Sequence, residues 1–318
     1  MFQFWSIFLF LSNTTSVIRG SNPLRRIPPP FLCYTLPMWL IFAVLAGVFS
    51  TAENLLQRFH LRKQKDVWTF AFFYSLTGTM ISLPLMLSSP TIPHDPHIWL
   101  LAALVGLLIV GNNLLIFKAS GLIEMSIINS LLKLRLVWVF LLGILFLSNP
   151  FSWPKFIGTL LAIAAGLIIL HNFKRPRTSA GFSLVLTASL FNAGIVVLSK
   201  YLLGSFNVVS LTFFVSFLPA TIFIFLVMPH AISRIKNLFK TDWKIVFLAC
   251  AFGTFTNLTL NAALNLHDVA SVLVINEAFL VLVLVGEHAY LKEREQVWVK
   301  VASVLLAVTG AILIDISH

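Results

Sequence analysis

The chain has 318 residues, of which 58% are hydrophobic and 10% are charged, and its mean hydropathy is +0.95. A soluble domain averages roughly 45–50% apolar and about 25% charged residues, so this composition excludes a soluble globular protein. At about 20 residues per membrane-spanning helix, the length leaves room for roughly ten spans and no sizeable extramembrane domain. The net charge of +11 comes from short basic clusters between apolar segments. That pattern indicates membrane orientation and argues against nucleic acid as a partner.

Ten apolar segments, bounded by turn or charge signals, follow one another along the chain. Each has nearly the length that a bilayer demands, and backbone groups in lipid must be satisfied within the segment, so we predict helices and not strands. The fold class that follows is an all-α membrane protein with ten transmembrane helices. The expected spans are 37–58, 67–89, 98–118, 122–148, 154–171, 181–203, 207–228, 243–264, 268–291 and 297–315.

The second half of the chain repeats the first. At a fixed offset of 144 residues, Asn113 corresponds to Asn257 and Gly166 to Gly310. In the first span of each copy, Phe49-Ser50 aligns with Phe191-Asn192 at an offset of 142. The chain is therefore read as two copies of a five-span unit. Because five is odd, the second copy must enter the membrane from the opposite side. We predict two inverted five-helix repeats with a cavity near the midplane between them.

The repeats divide the chain into three parts. Residues 38–172 are the first repeat, residues 173–318 are the second, and residues 1–37 form an N-terminal extension. The apolar stretch within this extension, 2–11, is too short to span a bilayer and has no basic segment before it. One hypothesis is that translation starts at Met38, in which case the extension is not translated.

The C-terminal segments of the two repeats carry a resemblance to a known family. They read FLSNPFSWPKFIGTLLAIAAGLIIL and YLKEREQVWVKVASVLLAVTGAILI. With the symmetric pattern of the third and fourth spans, they resemble the drug/metabolite transporter superfamily and its EamA-like branch over about residues 38–315. Glu293 matches the acidic loop residue of that family, whereas Asn149 replaces it in the first copy. The resemblance implies a ten-helix carrier of small solutes such as metabolites or amino acids.

Lysine and arginine are about three times as frequent in one set of alternate loops as in the other. The positive-inside rule therefore places both termini outside the cytoplasm. We expect a multi-pass protein of a prokaryotic cell membrane.

Ionisable residues within apolar spans are candidate sites, because a charge in the hydrocarbon core costs several kcal/mol unless it is paired or faces water. Lys133 lies near the centre of the fourth span and Glu277 in the ninth, separated by the repeat offset. We expect this pair to line the cavity, where it binds a zwitterionic or charged solute or exchanges protons. The alternative is a salt bridge that locks the two halves together.

Arg135 lies two residues after Lys133, about 200° around a regular helix, so both side chains cannot point into one cavity. We expect Arg135 to contact a neighbouring helix or a lipid headgroup. Asn129, one turn before Lys133, is the better companion in the site.

Glu53 lies within the first span, with Gln57 one turn further along the same face. It is predicted to be a second cavity carboxylate or a gate, or else to pair with Arg58 or Arg62 at the end of the span.

Repeated amides mark the third and eighth spans at Asn113 and Asn257, accompanied by Asn112 and Asn261. Such amides can bind a solute, but they also join helices. Asn276 and Tyr74 are weaker candidates of the same kind.

No nucleotide-binding loop, catalytic motif or Cys/His metal cluster occurs in the sequence, so we predict neither an enzyme nor a cofactor or metal site. The function expected is a secondary transporter of small organic solutes that works by alternating access, with proton coupling left open. Its partners are a small-molecule solute and membrane lipid, and its state is a monomer or homodimer. A lipid-linked flippase and a non-transporting scaffold are the alternatives.

Overall fold

The computed structural model describes residues 37–63, 67–120, 134–147, 152–172, 179–227 and 243–276, with positions 122, 128, 131–132, 279, 305–306 and 309–310. The described ranges contain eight long helices in an all-α arrangement. They are α1 Met38–Lys63, α2 Val67–Ser88, α3 Pro96–Ser120, α4 Arg135–Leu147, α5 Trp153–Asn172, α6 Ser179–Leu202, α7 Val208–Val227 and α8 Trp243–Leu266. A further helical segment covers 269–276.

Short polar residues start several of these helices. Asp95 accepts a hydrogen bond from the backbone N–H of His97 at 2.9 Å, and Pro96 takes the first helical position of α3, where its missing N–H costs nothing. Asn207 caps α7 through the N–H of Ser210 at 2.7 Å. Asp268 caps the 269–276 segment in the same way, as expected for an acid at a helix N-terminus.

The helices agree closely with the predicted spans. Within the described residues, six helices (α1, α2, α3, α6, α7 and α8) are long and apolar enough to cross a membrane, and α4 is a shorter apolar helix. Helix α5 coincides with the predicted fifth span, and 269–276 lies at the start of the predicted ninth. Most of the tenth span lies outside the described residues, so the total of ten helices stays a prediction.

The fourth span differs from its predicted form. One continuous helix was expected over 122–148, but α4 begins at Arg135 and Leu134 lies in a turn. The backbone N–H of Leu134 donates to Leu131, and that of Val137 to Leu134, over three residues and not four. Hydrogen bonds between residues three apart wind the backbone more tightly than an α-helix, as in a 3₁₀ turn. The backbone at Leu134 therefore departs from a regular α-helix.

Helix packing recurs at equivalent positions of the two halves. Helix α1 packs against α8 as α6 packs against α3, and α2 packs against α8 as α7 packs against α3. Phe191 on α6 lies against Gly111, where an added Cβ would be 2.7 Å from the ring. Its equivalent on α1, Phe49, stacks near Phe255, which occupies the position equivalent to Gly111, with ring centroids 5.7 Å apart. The two α1/α8 and α3/α6 interfaces thus use the same positions with different side chains.

One end of the helix bundle is held by polar contacts to backbone carbonyls. Lys200, near the end of α6, donates to the carbonyl oxygens of Leu264 and, at 3.0 Å, His267 at the end of α8. These carbonyls lack a partner within their own helix, so a cation there stabilises the helix terminus. Nearby in the chain, the Asn207 amide donates to the Ser89 carbonyl at 2.6 Å, which joins the start of α7 to the end of α2.

Candidate functional site

A cavity of about 280 Å³ lies among the helices of both halves. Three helices from the first half (α1, α2 and α3) and their equivalents in the second half (α6, α7 and α8) line it, together with the start of α4 and position 276. Equivalent positions of α1 and α6 form two of its walls. The α1 wall consists of Ser50, Glu53, Asn54 and Gln57, and the α6 wall of Asn192, Ile195, Val196 and Ser199.

Glu53 is the carboxyl group among the described lining residues, and it is held by a polar network. The Tyr74 hydroxyl of α2 hydrogen-bonds to it, and Tyr74 also hydrogen-bonds with Asn257 of α8. The Thr256 hydroxyl of α8 lies beside Glu53 and donates to the Phe252 carbonyl at 2.9 Å. Because a carboxylate only accepts hydrogen bonds, Tyr74 donates to Glu53 and receives the amide N–H of Asn257. Three helices therefore fix the position of one acidic group.

A glycine makes the position of Tyr74 possible. Gly253 on α8 lies one turn before Asn257, and a Cβ added there would be 2.6 Å from the Tyr74 hydroxyl oxygen and 2.8 Å from its Cζ. No real side chain tolerates such a contact, so residue 253 must lack one for the Tyr74 ring to reach Glu53. The local sequence of α8 thus serves both packing and the site.

Arg135 lies at the start of α4 and lines the same cavity. Its Nη1 donates to Oδ1 of Asn192 on α6 at 2.7 Å. The contact with a neighbouring helix confirms the prediction for Arg135, and the side chain also lines the cavity. The predicted separation of Arg135 from Lys133 stays a prediction, because Lys133 lies outside the described residues.

Phe279 occupies the position equivalent to Arg135 in the second half and contacts α1, the equivalent of α6. The Thr51 hydroxyl of α1 donates to the Phe279 carbonyl at 3.0 Å, and a Cβ on Gly47 would be 2.8 Å from the Phe279 ring. The same helix junction is therefore apolar in one half and carries a guanidinium in the other.

Carboxamides make up much of the remaining polar lining. Several of them bond within the protein: the Asn54 amide donates to the Ser50 carbonyl at 2.7 Å, and the Asn261 amide donates to the Thr212 hydroxyl at 3.1 Å. Asn112 and Asn276 differ, since they are only 6% and 3% exposed and their Oδ1 atoms accept no hydrogen bond in the part of the chain that the structure describes.

The structure brings together every candidate residue that it describes. Six of the predicted site residues line the cavity: Glu53, Gln57, Tyr74, Asn113, Asn257 and Asn276. The candidates Lys133, Asn129 and Glu277 lie outside the described residues. Leu132, the residue before Lys133, does line the cavity.

Sequence reasoning missed several lining residues, among them Ser50, Asn192 and Thr256. Ser50 and Asn192 occupy equivalent positions in the two copies, as do Asn112 and Thr256 at the offset of 144. A search for positions that are polar in both copies would have found them. Uncharged polar residues in an apolar span stand out less than charged ones, so these residues were not predicted to line the site.

Comparisons with known proteins give a family and a fold. The sequence pattern of the EamA-like transporter family matches residues 37–171 and again residues 179–315. The chain matches no curated protein. A solved structure described only as "Crystal structure of protein" is similar, with a TM-score of 0.67 and 14% sequence identity over 87% of this chain and 94% of that one. At this identity the likeness concerns the fold alone.

Proposed function

Since the chain belongs to the EamA-like transporter family, we propose that it moves small zwitterionic organic solutes, of the amino-acid type, by alternating access of the cavity between its two halves. Family membership implies a multi-pass integral membrane protein that is a secondary transporter of small molecules and not an enzyme. The class of solute and the mode of transport are the proposal. It rests chiefly on one observation, the presence of Glu53 and Arg135 on different walls of one cavity.

The two charged side chains favour a solute that carries both signs. Glu53 is held by α1, α2 and α8, whereas Arg135 is held by α4 and α6. A carboxylate attracts an ammonium group, and a guanidinium offers a fork of donors that fits a carboxylate. A charge in a low-dielectric cavity is costly without a counter-charge. A zwitterion supplies both counter-charges in one molecule.

Equivalent helix positions on both sides of the cavity support alternating access. If the second repeat is inverted relative to the first, the α1/α8 and α3/α6 interfaces exchange roles when the cavity opens to the other side. The recurrent packing of these helix pairs is the arrangement that such an exchange needs.

Proton coupling belongs to the same proposal. A carboxyl group that is reached from both sides can carry a proton in one direction and a cationic group in the other, and Glu53 is the carboxyl of the described lining. The predicted pair of Lys133 and Glu277 is a second candidate for this role. The flippase alternative loses its one support, because Arg135 contacts Asn192 and the cavity.

The test is uptake of a panel of radiolabelled amino acids into proteoliposomes, with and without a pH gradient. We expect saturable uptake of at least one amino acid by the wild type, and a much weaker uptake by Glu53→Gln. The control Lys118→Gln removes a charge from an exposed position at the end of α3 and should leave uptake unchanged. Stimulation by a pH gradient in the wild type and not in Glu53→Gln would support coupling at Glu53. Absence of uptake of every amino acid would contradict the proposal.

A further inference from the structure

The charged groups of the cavity leave two buried amide oxygens to be explained. Asn112 on α3 and Asn276 in the 269–276 segment both line the cavity, and the Oδ1 atom of each is buried without a hydrogen-bond partner in the described part of the chain. An unsatisfied buried acceptor costs about 1–3 kcal/mol. Native proteins seldom keep such groups unless something else supplies the donor.

Other amides of the lining form hydrogen bonds within the protein. The Oδ1 atom of Asn192 accepts from Arg135, whereas Asn54 and Asn261 donate through their Nδ2 atoms to Ser50 and Thr212. Among the described residues, the carboxamide oxygens of the lining that are buried without a hydrogen bond are those of Asn112 and Asn276. Both side chains line the cavity, so a turn of either carboxamide presents its oxygen to a molecule inside.

We propose that Asn112 and Asn276 determine specificity by accepting hydrogen bonds from the side chain of the transported solute. The inference rests on the proposed function, since it assigns a side-chain preference to the same site. The solute class is a zwitterionic amino acid whose side chain bears N–H or O–H donors, such as an amide or a hydroxyl. An apolar side chain of the same shape leaves both oxygens unpaired. A site built to hydrogen-bond a group discriminates strongly against analogues that lack it.

Pairs of isosteric amino acids test this directly. L-Asparagine and L-leucine have side chains of nearly the same shape, as do L-threonine and L-valine, and only the first of each pair carries donors. In competition uptake assays with proteoliposomes, we expect the wild type to prefer the donor-bearing member by about tenfold or more. The variants Asn112→Leu and Asn276→Leu should each reduce that preference and together abolish it.

A control and a second readout separate this effect from general damage. Thr187→Val makes a similar polar-to-apolar change at an exposed position of α6 and should leave the preference intact. In thermal unfolding without solute, Asn112→Leu should raise Tm, because it removes an unpaired buried oxygen. L-Asparagine should raise the Tm of the wild type and not that of the double variant.

Two outcomes would overturn the inference in different ways. Equal uptake of L-asparagine and L-leucine by the wild type, unchanged in the Leu variants, would mean that water satisfies the two oxygens, and the proposed transport would stand. Absence of uptake of every amino acid would overturn the proposed function and this inference together.

Discussion

The α1 and α6 walls of the cavity occupy equivalent positions in the two halves, yet their chemistry differs. On α1 the central pair is Glu53 and Asn54, and on α6 it is Ile195 and Val196. Glu53 of α1 lines the cavity, whereas Lys200 of α6 donates to carbonyls at the end of α8. The repeated fold therefore places α1 and α6 at equivalent positions, and differences at single residues determine that the α1 wall is charged and the α6 wall is apolar at its centre.

The largest expected effect comes from removing the charge on the α1 wall. Glu53→Gln keeps the shape and loses the negative charge, so the half-saturation concentration for a zwitterionic solute should rise about 100-fold, which corresponds to about 3 kcal/mol for a charge-assisted hydrogen bond. The matched change on the other wall, Ile195→Gln, should have less than one tenth of that effect. Similar losses in both variants, measured by proteoliposome uptake, would mean that the walls do not differ in function.

A smaller loss is expected at the guanidinium on the opposite side. Arg135→Gln removes the proposed partner of the solute carboxylate and should raise the half-saturation concentration about tenfold, since Arg135 is half-buried and its charge is better screened. Arg135→Lys keeps the charge but loses the fork of donors, so uptake kinetics should place it between the other two. A lysine variant that is as poor as the glutamine variant would show that charge contributes nothing at this position.

Two glycines test whether the cavity network or packing matters more. Gly253→Ala would push against Tyr74, and Gly111→Ala against Phe191, so both variants should lose about 1–3 kcal/mol of stability from overpacking. Only Gly253→Ala displaces a side chain that bonds Glu53, and we expect about a fivefold lower uptake by that variant, corrected for folded protein. Equal uptake by the two glycine variants would contradict the proposed importance of Tyr74.

The smallest effect on transport is expected at Lys200. Lys200→Met removes two hydrogen bonds to the end of α8 and should cost about 1–2 kcal/mol of stability, because the site is partly exposed. Thermal unfolding in detergent should show the loss, while the half-saturation concentration changes less than twofold. A large change in solute affinity without a change in Tm would assign Lys200 a binding role that the account does not give it.

The sequence predicted the positions of the described helices well because lipid leaves few choices: each apolar segment must be a helix of about 20 residues. It also selected Glu53, Tyr74 and Asn257, since polar residues are rare in such segments and an internal repeat marks one of them. It predicted the contact of Arg135 with a neighbouring helix but not its place in the cavity lining, because helical periodicity contains no information about a turn such as that at Leu134. Residues such as Gly253 escaped notice because their role depends on the approach of a ring from another helix.

The central claim, that Glu53 and Arg135 bind opposite ends of one solute, is tested most directly by a crossed uptake assay. An amino acid that the wild type transports is compared with its decarboxylated amine and its deaminated acid in the wild type, Glu53→Gln and Arg135→Gln. The account predicts that the wild type strongly prefers the zwitterion. It also predicts that Glu53→Gln no longer prefers the zwitterion to the deaminated acid, which lacks the ammonium group. Arg135→Gln should no longer prefer the zwitterion to the decarboxylated amine, which lacks the carboxylate. The same ranking of the three solutes in all three proteins would contradict it.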